Sequence, residues 1–247
     1  METPEAGGLK RNIFMNCRIE KKCLDSLIKR LLYRMRPTGL SLLFFRYNCM
    51  NLKETIVHES LKRFSLNGFL STSIQDILSA ANTSKGGFYN HFSSKEDLFF
   101  QALDDARKIW REKNLYGLDK IEDPIEKIIK LLGNYKNRYL LDAEKFPGGC
   151  IFIMLAVELG DARPHLSREV QKGFKGLKAM LKRLLDNGQP SAVTYKGIHT
   201  DMITEIIFNG MLGASVNYSV DKSPEALDKS INALIDYLDN LKNNFFT

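Results

Sequence analysis

The chain of 247 residues is long enough to bury a substantial core. Its 44% of hydrophobic and 26% of charged residues are typical of a folded globular protein and exclude a disordered one. The longest apolar runs, at 40–45 and 150–157, are far shorter than the roughly 20 residues that a membrane-spanning helix needs, so we expect no membrane segment.

The first 49 residues differ from the rest of the chain. They carry ten Lys/Arg against four Asp/Glu, which is most of the net charge of +7. They show no sustained period, although 23–35 is compatible with an amphipathic helix. Three interpretations are open: a basic arm that binds DNA phosphates, a secretory signal, or upstream sequence read in frame. We favour the last, with translation starting at Met50, because a regular helical pattern begins directly after it.

The cysteines are also distributed unequally between these two parts of the chain. Three of the four cysteines lie in 1–49, and Cys150 is the one in the remainder. A single thiol cannot form an internal disulfide, which fits a reducing compartment. We therefore expect a cytoplasmic protein.

From Met50 onward, capping signals separate four predicted helices. The first is amphipathic and ends before Gly68, and the second follows three potential N-cap residues, Ser71, Thr72 and Ser73. A turn at 82–83 leads to a third helix that reaches Phe92. The predicted bounds are 53–67, 73–81, 84–92 and 94–113.

The second and third helices are short and joined by a tight turn, which is typical of a helix-turn-helix. Phe88 and Phe92 are four residues apart and predict a buried face. The outer face is polar, as a helix in the major groove requires. The glycines at 86–87 leave two interpretations open: simple tolerance in a short helix, or close approach of the backbone to DNA.

The run TSIQDILSAANTSKGGFYNHFSSKEDLF, from Thr72, resembles the DNA-binding motif of the TetR/AcrR family. The resemblance covers about 50–110, with the helix-turn-helix from Ser73 to Phe92. Asn82 and Thr83 stand where the family usually has Gly-Val, and Asn tolerates the left-handed turn that this position needs. The resemblance implies an all-helical homodimer that binds a palindromic double-stranded operator.

The resemblance also implies which residues contact DNA. Phosphate contacts are expected from Thr72, Tyr89, His91 and Lys95, and base contacts from Lys85 and the backbone at 86–87. The complete predicted DNA-binding set is Thr72, Ser84, Lys85, Gly86, Gly87, Tyr89, Asn90, His91 and Lys95.

The second half of the chain, 111–247, predicts a helical ligand-binding and dimerisation domain. Asp123 and Pro124 form a cap and first-turn signal, and 150–159 is apolar nearly all round, as expected of a central buried helix. The predicted helices are 124–141, 150–159, 164–187, 200–220 and a last one from 224. We thus expect an all-α protein of about nine helices, whose last two pair with their copies in a second subunit.

The stretch GGCIFIMLAVELGD, from Gly148, resembles a subset of the family in which the cysteine opens the sixth helix beside the ligand cavity. Some members of that subset sense electrophiles or oxidants through the matching cysteine. Two interpretations of Cys150 are open: a sensor whose thiol pKa is lowered by the helix N-terminus, or a small buried packing residue. The candidate effector-contacting residues are Trp110, Tyr135, Tyr139, Cys150, Phe152 and Met154.

No constellation in the sequence predicts an enzyme. The four histidines are dispersed, and neither a metal-ligand spacing nor a phosphate-binding loop is present, so we expect no catalytic site, metal or cofactor. The prediction is a transcriptional regulator, in particular a repressor that a small molecule or electrophile releases from its operator. An activator and a helix-turn-helix that binds protein are the alternatives.

Overall fold

Helices joined by short turns make up most of residues 51–142, 144–187 and 199–245, which are the residues that the computed structural model describes. The chain divides into two units, Met1–Met50 and Asn51–Thr247. The predictions for 1–49, including the start at Met50 and the helix at 23–35, lie outside the described residues.

Nine α-helices occur in the described ranges, and no strand does, as the sequence predicts for an all-α protein. A 3₁₀ turn at Leu118–Lys120 precedes the fifth helix, and a π-helical segment at Tyr135–Leu140 follows it. The helices are α1 Leu52–Asn67, α2 Ile74–Ala80, α3 Lys85–Tyr89, α4 Lys95–Asn114, α5 Pro124–Asn134, α6 Ile151–Leu159, α7 Pro164–Asn187, α8 Thr200–Asp221 and α9 Pro224–Phe245.

Side-chain caps begin the helices where the sequence predicts them. The Ser73 hydroxyl accepts a hydrogen bond from the Asp76 amide at 3.1 Å, and the Ser84 hydroxyl accepts one from the Gly87 amide at 3.2 Å. Ser94 caps α4 in the same way. Each cap pairs one of the amides that a helix N-terminus leaves without a partner, so local chemistry sets these starts.

Two predicted helices end earlier than expected. The third stops at Tyr89 and not at Phe92, because the His91 amide bonds to the Phe88 carbonyl at 2.9 Å and tightens the chain into a turn. The fifth does not run to 141 as one α-helix, because its last part widens into the π-helical segment. Such segments are rare and often lie at functional sites.

The sixth helix is less enclosed than its composition predicts. Ile151, Leu155 and Leu159 are buried, but Val157 is 81% exposed. The prediction that α6 is buried all round is therefore wrong for one of its faces, because its contacts with α1, α7 and α8 leave Val157 open to solvent.

One continuous core extends through the helices. α1 packs against α2, α3, α4 and α6, while α5, α7, α8 and α9 pack against one another. α4 crosses residue 110, at which we predict the boundary between the DNA-binding and ligand-binding domains, so that boundary stays a prediction. Within the described residues, the structure contains no helix that is apolar and long enough to span a membrane.

Candidate nucleic-acid interface

The helix-turn-helix consists of α2, a four-residue turn and α3. Asn82 has φ +47°, so the side chain that the sequence offers for a left-handed turn is used in this way. The Thr83 amide bonds to the Leu78 carbonyl at 3.0 Å and closes the turn. The angle between the two short helices is therefore fixed by the backbone and by the caps at Ser73 and Ser84.

One side of this unit is buried and the other is open. Ile77, Leu78, Phe88 and Phe92 all lie in the core. Tyr89 is 54% exposed, although its ring edge contacts Phe88 with ring centroids 5.2 Å apart. The exposed residues of α3 and its following turn are Lys85, Gly86, Tyr89, Asn90 and His91. These residues form an open polar face, and each of them belongs to the predicted DNA-binding set.

The two glycines of α3 differ in what surrounds them. A Cβ on Gly87 would overlap the Thr83 hydroxyl, so packing within the chain gives a reason for glycine there. A Cβ on Gly86 would meet only the Ser84 hydroxyl, at 3.8 Å. Gly86 is exposed, and this internal packing does not require it. Packing within the chain thus gives one reason for glycine at 87, and close approach of the backbone to DNA stays the prediction for both glycines.

The expectation for Thr72 needs correction. Its side chain is fully buried, and its hydroxyl donates a hydrogen bond to the Gly68 carbonyl at 2.6 Å. A hydroxyl held in this way is turned away from any phosphate outside the protein. Thr72 instead fixes the loop between α1 and α2.

The side chain of Lys95 makes contacts within the protein, although the resemblance implies that it contacts a DNA phosphate. Its ammonium donates to the carbonyls of Phe69 and Thr72, each at 2.9 Å, and lies 4.3 Å from the centroid of the Phe69 ring. Partial burial lowers the pKa of Lys95, while the nearby carboxylate of Glu158 acts in the opposite direction. Both carbonyl contacts are internal, so Lys95 organises the loop and is less available for the phosphate contact that the resemblance implies.

Lys53 is a basic residue near α3 that the sequence analysis did not select. It is exposed in the first turn of α1, with its ammonium 5.8 Å from the centroid of the Phe92 ring. Phe92 follows α3 in the chain, so Lys53 is an exposed lysine close to the segment after α3, in addition to Lys85 at the start of α3. A lysine early in an amphipathic helix carries no sequence signal that separates this role from ordinary solvation.

A second group of predicted residues lies together between α5, α6 and α8. The rings of Tyr135 and Tyr139 are stacked with centroids 5.6 Å apart, and both belong to the π-helical segment. The Tyr135 hydroxyl is hydrogen-bonded to Ser215 of α8, and the Tyr139 hydroxyl lies 3.7 Å from the sulfur of Cys150. Ser215 is the member of this buried cluster that the sequence analysis missed, because a serine in an apolar helix carries no distinctive signal.

The other three effector candidates differ in how deeply they are buried. Phe152 is buried in the first turn of α6. Trp110 is half-buried against the core and Met154 is half-buried on α6. Among the described residues, no group of three or more His, Cys, Asp or Glu side chains is arranged to hold a metal.

Cys150 does not have the lowered pKa that a helix N-terminus predicts. Its side chain is 5% exposed, and burial raises the pKa of the thiol although nearby amides and the Tyr139 hydroxyl act in the opposite direction. Desolvation of a thiolate outweighs the helix dipole here. The structure thus corrects the electrostatic argument for a reactive thiolate and favours the packing interpretation of Cys150.

This burial predicts slow alkylation of Cys150. Iodoacetamide reacts with the thiolate, so near neutral pH the native protein should label at Cys150 roughly 100-fold more slowly than the same protein in urea. The native rate should rise as pH increases, because the raised pKa leaves the thiol protonated until more alkaline conditions. Peptide mass spectrometry separates Cys150 from the other cysteines. Native labelling as fast as in urea would contradict the assignment.

Comparison with known families agrees with this geometry. The model described as "Bacterial regulatory proteins, tetR family" matches residues 56–102, which include the whole helix-turn-helix. A second model, "Tetracyclin repressor-like, C-terminal domain", matches residues 124–234. Together they cover more than half of the chain. The chain belongs to the TetR family. It is a DNA-binding transcriptional regulator with an N-terminal helix-turn-helix and a helical C-terminal domain.

Individual TetR-family proteins resemble the chain over most of their length. The transcriptional repressor DhaR of Mycobacterium sp. (strain GP1) is 23% identical over 76% of this chain and 92% of its own. The crystal structure of a TetR transcriptional regulator from Chloroflexus aurantiacus is 26% identical, with a TM-score of 0.70, and the match covers 76% of this chain and 94% of that one. AibR, solved in complex with isovaleryl coenzyme A and operator DNA, is 15% identical with a TM-score of 0.58, over 75% and 96% of the two chains, and shares the fold.

Proposed function

We propose that this protein is a homodimeric repressor that binds a palindromic operator through α3 and leaves it when a small molecule binds the C-terminal domain. The observation that carries the proposal is the open polar face of α3 on a helix whose apolar side is fully packed. A helix presented in this way fits the major groove, which admits one helix. The name of DhaR, a repressor, supports repression over activation.

The proposed DNA contacts are of two kinds. Tyr89, Asn90, His91 and Lys53, all exposed, would bind phosphates, which position the protein but carry no sequence information. Lys85 and the backbone at Gly86 lie at the start of α3, from which a recognition helix usually reaches base edges.

Loss of the phosphate contacts should weaken DNA binding without affecting the dimer. We expect Tyr89→Phe to lower operator affinity by about fivefold and His91→Ala by a similar factor, since each removes one hydrogen bond to phosphate. Tyr116→Phe is the matched control, because Tyr116 is also exposed but lies between the end of α4 and the 3₁₀ turn. Fluorescence anisotropy measures affinity, and sedimentation measures the dimer. Affinities equal to wild type in both Tyr89→Phe and His91→Ala would contradict the contacts.

The proposed dimer uses a mostly apolar stripe on α8, called the α8 stripe, which consists of Met202, Ile206, Asn209, Gly213, Val216 and Val220. These residues are spaced alternately by four and three, as in a helix that packs against another along its length, and all six are exposed in the single chain. Val220 is 82% exposed and Met202 60%. A stripe of this kind is unfavourable in water, and a second copy of the same stripe would cover it.

The sequence predicts that both last helices pair with their copies, and the structure gives them different roles in the proposed dimer. Leu227, Ile231 and Leu238 of α9 are buried within the same chain. Leu234 packs so closely on α8 that a Cβ on Gly210 would overlap it. We therefore propose that α8 provides most of the apolar contact between subunits. α9 packs against α8 within the same chain and contributes less to that contact.

The proposed effector site is the region around the stacked pair Tyr135 and Tyr139. Trp110, Phe152 and Met154 would add apolar contacts, and the hydroxyl groups would orient a polar group of the ligand. The complex of AibR with isovaleryl coenzyme A supports a small organic effector for this fold. An effector releases DNA when it binds better to a conformation in which the two copies of α3 have a different spacing.

We also propose that the protein is cytoplasmic and has no catalytic activity. A cytoplasmic location follows from the proposed function, because a regulator must reach chromosomal DNA. DhaR, which is named as a repressor, supports the absence of catalytic activity.

A further inference from the structure

A carboxylate from α6 binds the loop that leads into the helix-turn-helix. One oxygen of Glu158 accepts a hydrogen bond from the Phe69 amide at 2.6 Å, and the other accepts one from the Leu70 amide at 2.8 Å. The partners are almost ninety residues apart in sequence. Hydrogen bonds to an ionised acceptor are roughly twice as strong as neutral ones.

The loop is built to receive this carboxylate. Gly68 has φ +81°, and a Cβ there would overlap the Glu158 carboxylate. Any residue with a side chain would be strained by the backbone conformation and would also displace Glu158. Gly68 thus ends α1 and leaves the space through which Glu158 reaches the next two amides.

The carbonyls of the same loop accept hydrogen bonds from α4 and from the loop itself. Lys95, in the first turn of α4, donates to the carbonyls of Phe69 and Thr72, and Thr72 donates to the carbonyl of Gly68. An anion from α6 and a cation from α4 therefore hold the loop by its amides and its carbonyls. Because α2 begins at Ile74, the position of this loop determines where α2 and α3 start.

The helix that carries Glu158 begins at the buried cluster. Cys150, next to the Tyr139 hydroxyl, is the N-cap residue of α6, and Glu158 lies in its last turn. Eight residues of α-helix span about 12 Å. Because main-chain hydrogen bonds hold a helix of this length together, we expect a displacement at the Tyr139 end to reach the carboxylate at the other end.

We infer that Glu158 is a positioning residue through which α6 sets the orientation of the helix-turn-helix. The inference rests on the proposed DNA-binding function and adds the residue that connects the C-terminal domain with the loop before α2. With this link intact, both subunits of a dimer present α3 at one spacing. Without it, the two recognition units occupy a range of orientations, and fewer of these fit two half-sites at once.

The test compares full-length wild type with Glu158→Ala and Glu158→Gln. In Glu158→Ala we expect amide hydrogen exchange at Phe69 and Leu70 to be at least tenfold faster, because both acceptors are lost. We also expect about tenfold weaker binding to the genomic DNA fragment that wild type retains best, with an unchanged dimer and an apparent melting temperature that falls by no more than about 12 °C, so that the protein stays folded at the assay temperature. Glu158→Gln keeps one acceptor oxygen, so it should restore part of both losses.

Glu112→Ala is the matched control, since Glu112 is an exposed glutamate on α4 and should change neither measurement. Unchanged exchange at Phe69 and Leu70, or unchanged DNA affinity, in Glu158→Ala would overturn the inference. A loss of DNA affinity that is matched by loss of the dimer or a large drop in melting temperature would also overturn it. If wild type retains no fragment specifically, the proposed function fails, and amide exchange still decides whether Glu158 holds the loop.

Discussion

Replacing Gly148 with alanine is expected to lower the free energy of unfolding by about 3 kcal/mol. A Cβ at this position would overlap the main-chain carbonyl of Ser65 in α1. The chain cannot relieve that overlap by rotating a side chain, so the segment before α6 must move away from α1. This movement would break the hydrogen bond from the Gly148 amide to the Ser65 hydroxyl at 2.8 Å, and the one from Lys222 to the Gly148 carbonyl at 2.6 Å.

Thermal unfolding followed by circular dichroism measures this effect. A loss of 3 kcal/mol corresponds to a fall in melting temperature of about 6–12 °C for a chain of this size. Gly133→Ala is the matched control, because a Cβ there would meet no atom within 4 Å and Gly133 lies inside α5. That variant should be stabilised by about 0.5–1 kcal/mol. Equal melting of Gly148→Ala and wild type would show that α1 and the segment before α6 do not approach as described.

Placing a charge on the α8 stripe should separate the subunits. Val216 is 45% exposed in the single chain and lies inside the stripe, between Gly213 and Val220, so the proposed dimer would cover it. Val216→Glu would bury an unpaired carboxylate from each subunit, which costs about 3 kcal/mol or more. We expect the dimer dissociation constant to rise by roughly 100-fold or more. Operator affinity should fall with it, since a monomer contacts one half-site.

Sedimentation equilibrium over a range of protein concentrations measures the dissociation constant, and anisotropy measures DNA affinity. Leu141→Glu introduces the same charge at an exposed apolar residue, 37% accessible, that lies after the π-helical segment and outside the stripe. It should leave both quantities near wild type. A Val216→Glu protein that remains dimeric at the same concentrations as wild type would place the subunit contact on another surface.

The features that the sequence predicted well are determined by neighbours along the chain. Ser73, Ser84 and Ser94 cap helices because a hydroxyl three residues before an amide can reach it. Asn82 takes a positive φ because its own side chain tolerates it. Periodicity likewise predicted the buried side of α3, including Phe88, since a regular helix repeats its faces every few residues.

The features that the sequence did not predict depend on contacts between distant segments. Nothing local to Thr72 indicates that its hydroxyl turns inward to Gly68, and nothing local to Lys95 indicates that it binds two carbonyls of an earlier loop. The pKa of Cys150 depends on how α6 is covered by other helices, and so the helix dipole alone gave the wrong direction. Glu158 appeared in a mostly apolar helix as an ordinary charged residue, although its carboxylate completes the loop before α2.

Recovery and footprinting of bound genomic fragments tests the central claim most directly. The full-length protein is mixed with sheared genomic DNA at moderate salt, and the retained fragments are sequenced and footprinted. We predict a protected inverted repeat whose half-sites are centred about one helical turn, or a small multiple of it, apart, with affinity that falls steeply as salt rises. The double variant Tyr89→Phe, His91→Ala should lose most of the protection while Tyr116→Phe keeps it. Retention of fragments without a shared inverted repeat, or equal protection by all three proteins, would contradict the account.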